Sequence, residues 1–292
     1  MANLKEIHSR IISIGSTIQI TSAMKMVSAA KLKRAQDAIT QMRPYAEKLT
    51  ELLVNLSSTL NDADDGVYST KRQEKNILLV PITSNRGLCG GFNTNIIKKT
   101  VSIHNNYGGK NVSLMCVGKK ASDYFNKNNY NVVSRHDEVY SDLTFDNTCL
   151  ISEKIMDSFI NEKYDKVEII YNQFKNAATQ DVVAKQILPI SQNINKEQGG
   201  VVNTGRDYIF EPNKENIVNN LMPQQIHTQI FGAILNSIAS EHGARMTAMH
   251  KATDNANELK QNLKLSYNRQ RQAAITNEIL EIVAGAEALK NT

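Results

Sequence analysis

The first sixty residues carry apolar side chains at alternating steps of three and four. The series comprises Leu4, Ile7, Ile11, Ile14, Ile18, Thr21, Lys25, Ser28, Leu32, Ala35, Ile39, Met42, Ala46, Leu49, Leu53, Leu56 and Leu60. Fourteen of these seventeen positions are apolar, and the segment contains one glycine and one proline. Such spacing keeps one stripe of a helix apolar and is typical of a coiled coil. A surface helix would need only three or four turns of it, so we predict a paired helix over residues 1–60.

A second helical pattern runs from about Asn213 to the C-terminus. Its seam comprises Phe231, Leu235, Ile238, His242, Arg245, Met249, Ala252, Ala256, Leu259 and Leu263. A helix of this length would extend for roughly 110 Å at about 1.5 Å per residue. We therefore expect the two long helices to pair antiparallel with each other, or with partner proteins.

Each predicted seam has one polar interruption, which suggests a register for that pairing. The first contains Thr21, Lys25 and Ser28, and the second contains His242 and Arg245. Buried polar groups are costly unless they meet polar partners, so the two interruptions should face each other. The numbers of facing residues would then sum to about 268. Met1 would lie near residue 267, and residues 268–292 would form a single helix.

Between the long helices, short apolar runs alternate with helical patterns. Strands are predicted at 76–83, 112–118, 167–174 and 182–190, and helices at 93–106, 119–128 and 146–162. Residues 61–75 have the composition of a linker, and residues 191–200 that of a loop. Alternation of strands and helices predicts a Rossmann-like α/β domain with a mostly parallel sheet. We thus divide the chain into an N-terminal coiled-coil helix (1–60), a central α/β domain (61–212) and a C-terminal coiled-coil helix (213–292).

Net charge and the spacing of the cysteines limit the classes of function that the sequence supports. The net charge is +5, of which residues 1–60 contribute +4. Tyr45 is the one aromatic residue in that segment, so we predict a solvated or protein-facing helix and no nucleic-acid partner. Three separated cysteines lack metal-binding spacing and indicate a reducing compartment. The N-terminal residues carry charges where a secretory signal needs an apolar stretch, and no run is long enough to span a membrane.

The glycine-rich sequence SNRGLCGGFN at residues 84–93 follows a predicted strand, as a phosphate-binding loop would. It lacks the Lys-Ser/Thr of a Walker A loop and the spacing of a dinucleotide fingerprint. A tight turn with glycines at positive φ is the favoured interpretation, with a phosphate site as the alternative. His242 and His250 lack zinc-protease spacing, and no His lies near Cys89 in sequence. The sequence thus predicts no catalytic, cofactor-binding or metal-binding residues.

Three segments together resemble the γ subunit family of the F-type ATP synthase. They are ITSAMKMVSAAKLKRAQ at 20–36, ITSNRGLCGGFN at 82–93, and SEHGARMTAMHKATDNA with YNRQRQAAITNEILEIVAGAEAL at 240–256 and 267–289. The resemblance covers essentially the whole chain. Asn85 stands where the family usually has Asp, and Ser22 where it usually has Lys. The paired-cysteine insertion of the chloroplast form is missing, which favours a bacterial origin over a mitochondrial one.

The resemblance implies a non-catalytic rotor shaft. The coiled coil would enter a hexamer of three α and three β subunits, with the α/β domain near ε and the c-subunit ring. Proton-driven rotation would then change the conformation of the catalytic sites in β. The chain would lie at the cytoplasmic face of the bacterial inner membrane, attached only through the complex. The residues implied in partner contact are Met24, Lys25, Arg86, Gly87, Cys89, Arg245, Arg271, Gln272, Thr276, Glu278 and Glu281.

Two other function classes remain open from the sequence. A nucleotide-dependent enzyme would bind ATP or a dinucleotide through the α/β domain alone. A homodimeric coiled-coil scaffold would pair its long helices between two identical chains.

Overall fold

Two long helices dominate the secondary structure, as the apolar seams predict. The computed structural model describes residues 4–57, 66–70, 72–108, 110–140, 142–190 and 214–290; the loop predicted at 191–200 lies outside these ranges. Helix α1 spans Leu4–Ser57 and helix α6 spans Lys214–Lys290. Pro44 lies inside α1 and Pro223 inside α6, and neither ends its helix.

A five-stranded sheet forms the centre of the α/β region. Its strands are β1 (Asn76–Pro81), β2 (Asn111–Val117), β3 (Val132–His136), β4 (Lys166–Phe174) and β5 (Gln180–Leu188). The order is β3-β2-β1-β4-β5, with parallel pairing except between β4 and β5. The predicted mostly parallel sheet is confirmed. Strand β3 was missed because it is a short edge strand with half-exposed side chains and no apolar run.

Four shorter helices complete the fold: α2 (Gly66–Ser69), α3 (Phe92–Asn106), α4 (Lys119–Lys127) and α5 (Phe145–Ile160). One apolar cluster packs α5 and the middle of α6 against one face of the sheet. A second cluster packs α3 and α4 against the other face. Coverage on both faces explains why the central strands are continuous apolar runs.

The chain divides into two compact units that differ from the composition-based division. One unit contains the described residues up to Ser28 and from Met246 onward, and the other spans Ala29–Arg245. Each long helix therefore contributes to both units. The three-part division at residues 60 and 213 stays a prediction.

The seam predicted for α1 is confirmed at the fifteen positions whose side chains the structure describes. All of them are buried or half-buried, whereas Ile12, Ile20 and Val27 on other faces are exposed. The seam predicted for α6 is confirmed at nine of its ten positions, which are buried or half-buried, and wrong at Leu259, which is 50% exposed.

The observed pairing is displaced from the predicted register by six or seven residues, which is no more than one heptad. Thr253 donates a hydrogen bond to Thr21, with 2.8 Å between the hydroxyl oxygens, and the rings of His8 and Tyr267 lie 5.9 Å apart. These pairs sum to 274 and 275 rather than 268. The polar seam residues find other partners than the prediction assumed, since the Thr21 hydroxyl meets Thr253 and Arg245 binds the backbone carbonyls of Arg86 and Gly87.

Candidate functional site

The glycine-rich loop after β1 is held by its own side chains. The Ser84 amide donates to Asn93 Oδ1 at 2.9 Å, and the Ser84 hydroxyl donates to the Arg86 carbonyl at 2.6 Å. Asn93 Nδ2 donates in turn to Ser84 Oγ at 2.8 Å. Because Ser84 is fully buried, these bonds satisfy polar groups that water cannot reach. The loop is therefore ordered within the chain.

The loop adopts positive φ at two positions. Gly90 has φ +58°, as expected, whereas Gly91 has φ −79° and Gly87 also lies outside the positive range. The second such position is Leu88, with φ +63° and a side chain that is 64% exposed. A non-glycine residue in this region is strained, and such strain is characteristic of functional loops.

Arg245 on α6 binds the backbone of the glycine-rich loop. Its Nη2 donates to the carbonyls of Arg86 and Gly87 at 3.1 and 3.2 Å, and pairs with Glu241 at 2.7 Å. Arg245 and Glu241 are both buried. Burial raises the pKa of Glu241, although the Arg245 charge opposes this shift. A guanidinium can serve two carbonyls and a carboxylate together because it presents a planar fork of donors.

Two residues predicted to contact partners lie inside the chain. Arg245 is 8% exposed and Cys89 is 2% exposed. Asn93 Nδ2 lies 3.2 Å from Cys89 Sγ, and burial raises the pKa of this thiol, which keeps it protonated at neutral pH. Since the thiolate is the reactive form, the site does not activate Cys89. Both residues support the loop, so any effect on a partner would pass through the loop itself.

The other predicted contact residues have more accessible side chains. Arg86 is exposed and Gly87 is half-buried at the loop, while Met24 and Lys25 are half-buried on α1. The remaining five are all exposed near the end of α6, namely Arg271, Gln272, Thr276, Glu278 and Glu281. The structure therefore groups the predicted residues into a loop set, an α1 set and an α6 end set.

The side-chain amide of Asn85 accepts one hydrogen bond and donates another. Its Oδ1 accepts from the Lys119 amide at 2.9 Å, at the start of α4, and its Nδ2 donates to the Asp137 carbonyl at 2.8 Å. A carboxylate could accept the first bond but could not donate the second. The departure from the family's usual Asp thus has a local structural role.

Helix α6 occupies the crevice where doubly wound sheets usually bind ligands. That crevice lies at the carboxyl ends of the strands where the strand order reverses, here between β1 and β4. Ser237 Oγ donates to the Ile82 carbonyl at 3.4 Å, and Ser240 Oγ donates to the Asn172 carbonyl at 3.0 Å. Sequence analysis missed both serines because a buried serine leaves no mark in a helical apolar pattern.

Neither a metal-binding cluster nor a membrane-spanning helix is found within the described ranges. In the described ranges, no three His, Cys, Asp or Glu residues are placed to share a metal ion. Among the helices of these ranges, none combines the length and apolar character needed to cross a bilayer.

Comparison with known proteins identifies the family. The family model described as ATP synthase matches residues 3–289. The ATP synthase gamma chain of Flavobacterium johnsoniae is 58% identical over 289 residues, covering 99% of each chain. That of Flavobacterium psychrophilum is 59% identical over 290 residues, covering 99% of this chain and all of the relative. The chain belongs to the ATP synthase gamma-chain family.

Solved structures agree with this membership. A chain in the central stalk and c-ring structure of the Tetrahymena thermophila mitochondrial ATP synthase is 29% identical, with a TM-score of 0.59. It matches 80% of this chain and 99% of its own length. A chain of the Euglena gracilis mitochondrial ATP synthase shares the fold, with a TM-score of 0.69 and 22% identity. The match covers 98% of this chain and 94% of that one. The resemblance found in the sequence motifs is confirmed.

Proposed function

We propose that this gamma chain is the central rotor shaft of a bacterial ATP synthase and has no catalytic site of its own. It couples proton-driven rotation of the c ring to conformational change, and so to ATP synthesis and hydrolysis, in the β subunits. The observation that carries this proposal is the end of α6. From Arg271 to Glu287 every side chain is exposed, although the segment is helical throughout.

The α6 end is built to be covered by other subunits. Its seventeen residues would extend for about 25 Å at 1.5 Å per residue. Helices in proteins gain most of their stability by packing an apolar face against other elements, and the side chains of this segment are all exposed. Five large apolar side chains are nevertheless exposed along it, namely Ile275, Ile279, Leu280, Ile282 and Val283. A sleeve formed by the hexamer of α and β subunits would bury these side chains and stabilise the helix.

A nucleotide-binding enzyme is disfavoured by the packing of α6. Ser237 and Ser240 bind backbone carbonyls in the crevice that a nucleotide would need. Asn93 Oδ1 accepts the Ser84 amide hydrogen, which a phosphate-binding loop would offer to its ligand. This packing supports the proposal that nucleotide chemistry belongs to the β subunits and not to this chain.

A homodimeric scaffold is disfavoured by the seam of α1. None of its fifteen described positions is exposed. Contacts with α6 of the same chain recur along α1, at Thr21 with Thr253 and at Thr50 with Gln225. Met42 Cε, for example, lies 2.9 Å from the position that a Cβ on Gly232 would occupy. A second copy would have to displace this pairing before it could bind.

The remaining partners follow from family membership. The α/β region would lie near ε and the c ring, at the cytoplasmic face of the inner membrane, and the chain would reach the membrane only through the complex. Arg86 and Gly87 would contact the hexamer through the loop, and Met24 and Lys25 through α1. The five polar residues of the α6 end set would form hydrogen bonds that break and reform during rotation.

Reconstitution of the full chain with α and β subunits tests this function. We expect a stable complex in which ATP hydrolysis rises well above that of α and β alone. Hydrogen exchange should slow across residues 271–287 on assembly, while α5 should exchange as it does in the isolated chain. Titration of the isolated full chain with ATP serves as the control and should show no micromolar binding. A failure to stimulate hydrolysis, or tight ATP binding by the chain alone, would reject the proposal.

A further inference from the structure

Two buried serines on one face of α6 bind the carboxyl edge of the sheet. Ser237 Oγ lies 3.4 Å from the Ile82 carbonyl oxygen, and Ser240 Oγ lies 3.0 Å from the Asn172 carbonyl oxygen. Both serines are at most 1% exposed. The residues are three apart, so their side chains share one face of the helix.

These carbonyls lie where β1 and β4 separate. The Ile82 amide donates to the Ile170 carbonyl at 2.8 Å, which is the last bond from β1 to β4. Asn172, two residues further along β4, directs its carbonyl to the same side of the strand. The chain after β1 has by then turned into the loop, and Ser240 supplies the donor in place of a β1 amide. The helix thus continues the hydrogen bonding of the sheet.

Gly243 brings the same face of α6 against the β4–β5 hairpin. A Cβ atom on Gly243 would lie 3.3 Å from both Cα and O of Ala177, and 3.4 Å from the ring of Phe174. Glycine is unfavourable inside a helix. Its presence here is explained by the close approach of the helix to backbone atoms, which cannot move aside as a side chain could.

We propose that Ser237, Ser240 and Gly243 form a latch that passes torque between the α/β domain and α6. This inference rests on the proposed function of the chain as a rotor. The burial of apolar surface is non-directional, so it does not by itself favour one rotational position of the helix. Hydrogen bonds to strand carbonyls are directional, so the latch holds α6 at one rotational position. The two serines are positioning residues without any catalytic role.

The test uses the complete membrane-bound ATP synthase carrying Ser237→Ala and Ser240→Ala together. Ser266→Ala, at an exposed position of α6, is the matched control. For each enzyme we would measure ATP hydrolysis, ATP-driven proton pumping and the amount of assembled complex. Hydrogen exchange of the isolated full chain at residues 172 and 240 would report whether the latch has opened.

We expect the double variant to assemble and to hydrolyse ATP within about twofold of wild type, while the protons pumped per ATP fall at least threefold. A merely structural role would lower assembly and both activities in parallel, with an unchanged ratio, and would overturn the latch. An unchanged exchange rate would overturn it also. If the double variant fails to assemble, Ser240→Ala alone must show the same lower ratio. Failure of the wild-type chain to stimulate α and β would instead reject the proposed function.

Discussion

Two stretches of α6 have the same secondary structure and opposite surroundings. Between Gln225 and Met249 the side chains are buried or half-buried on every face, and from Arg271 to Glu287 all of them are exposed. The first stretch packs against the sheet and α1, whereas the second leaves every described side chain exposed. A continuous helix can thus combine a segment that its own chain covers with one that its own chain leaves exposed.

The residue types of the two stretches account for the difference. The buried stretch contains small residues where other atoms approach closely, since Gly232 faces the Met42 side chain and Gly243 faces the backbone of Ala177. Its polar side chains find partners inside the chain, as Arg245 does at the loop. In the exposed stretch Ile275, Ile279, Ile282 and Val283 follow the i, i+4, i+7, i+8 spacing of one helix face, with Leu280 beside it. This leaves an apolar stripe that the described part of the chain does not cover.

Truncation of a large apolar side chain should produce the largest difference in stability between the two stretches of α6. Leu235 is 3% exposed, so Leu235→Ala should lower the free energy of unfolding by about 2–5 kcal/mol through lost burial and a cavity. Ile279 is 54% exposed, so Ile279→Ala should change the free energy of unfolding by less than about 0.5 kcal/mol. Urea unfolding of the isolated chain measures both. Equal losses would show that the α6 end is packed in the isolated chain.

Acidification should destabilise the buried stretch through His242. Burial, with the nearby charges of Arg245 and Lys31, lowers the pKa of His242 from about 6.5 to about 4. The unfolded chain therefore binds more protons between these values, and stability falls as the pH drops from 6.5 to 4, by at most about 1.4 kcal/mol per pH unit. Burial raises the pKa of Glu241, which opposes this trend near its lower end.

His242→Gln isolates this contribution. Thermal unfolding should show a weaker loss of stability in the variant than in the wild type between pH 6.5 and 4. Other buried groups, including His136 and His227, titrate in both proteins and cancel in the difference. Parallel pH profiles would mean that His242 is accessible to protons in the folded chain.

Adding one methyl group should have opposite effects in the two stretches. Gly243→Ala places a Cβ 3.3 Å from the backbone of Ala177 and should cost about 1–2 kcal/mol. Gly285 has no other atom within 4 Å of the same position, so Gly285→Ala should raise local helix stability by up to about 1 kcal/mol. Unfolding by urea measures the first effect and hydrogen exchange near residue 285 the second. A gain at Gly243 would contradict the close approach described for the latch.

Apolar periodicity predicted much of the fold. It located both long helices and the four strands that carry continuous apolar runs. It missed β3, because a half-exposed edge strand has no such run. It placed the pairing register of the two long helices six or seven residues from the observed one, because polar seam residues need not face one another. Arg245 instead satisfies its donors on carbonyls of a loop more than 150 residues away in sequence.

Residue chemistry and family motifs contributed different parts of the candidate site. The residue pattern singled out the glycine-rich loop as a turn, and the motifs added Arg245, which the structure brings to the loop. The motifs also assigned Arg245 and Cys89 to partner contact, which stays a prediction, and both side chains are buried. Burial of this kind depends on tertiary packing, which neither a motif nor a local period records.

The hydrogen bond between Thr21 and Thr253 should produce the smallest of these effects. Thr253 Oγ1 lies 2.8 Å from both Thr21 Oγ1 and the Met249 carbonyl oxygen. Thr21→Val or Thr253→Val would leave one hydroxyl without this partner and should cost about 1 kcal/mol each. The double variant removes both hydroxyls from the interface and replaces them with methyl groups of similar shape. It should therefore cost less than the sum of the two single variants.

A double-mutant cycle by urea unfolding measures this coupling, which we expect at about 0.5–1 kcal/mol. Thr17→Val is the control, because Thr17 is exposed and its hydroxyl bonds only locally, to the Ser13 carbonyl at 3.0 Å. Combined with Thr253→Val it should give additive losses. Additivity for Thr21 and Thr253 as well would mean that the pair does not hold the register. The register between α6 and α1 would then be set by apolar packing alone. The paired part of α6 and its exposed end would differ only in how much of their surface is buried.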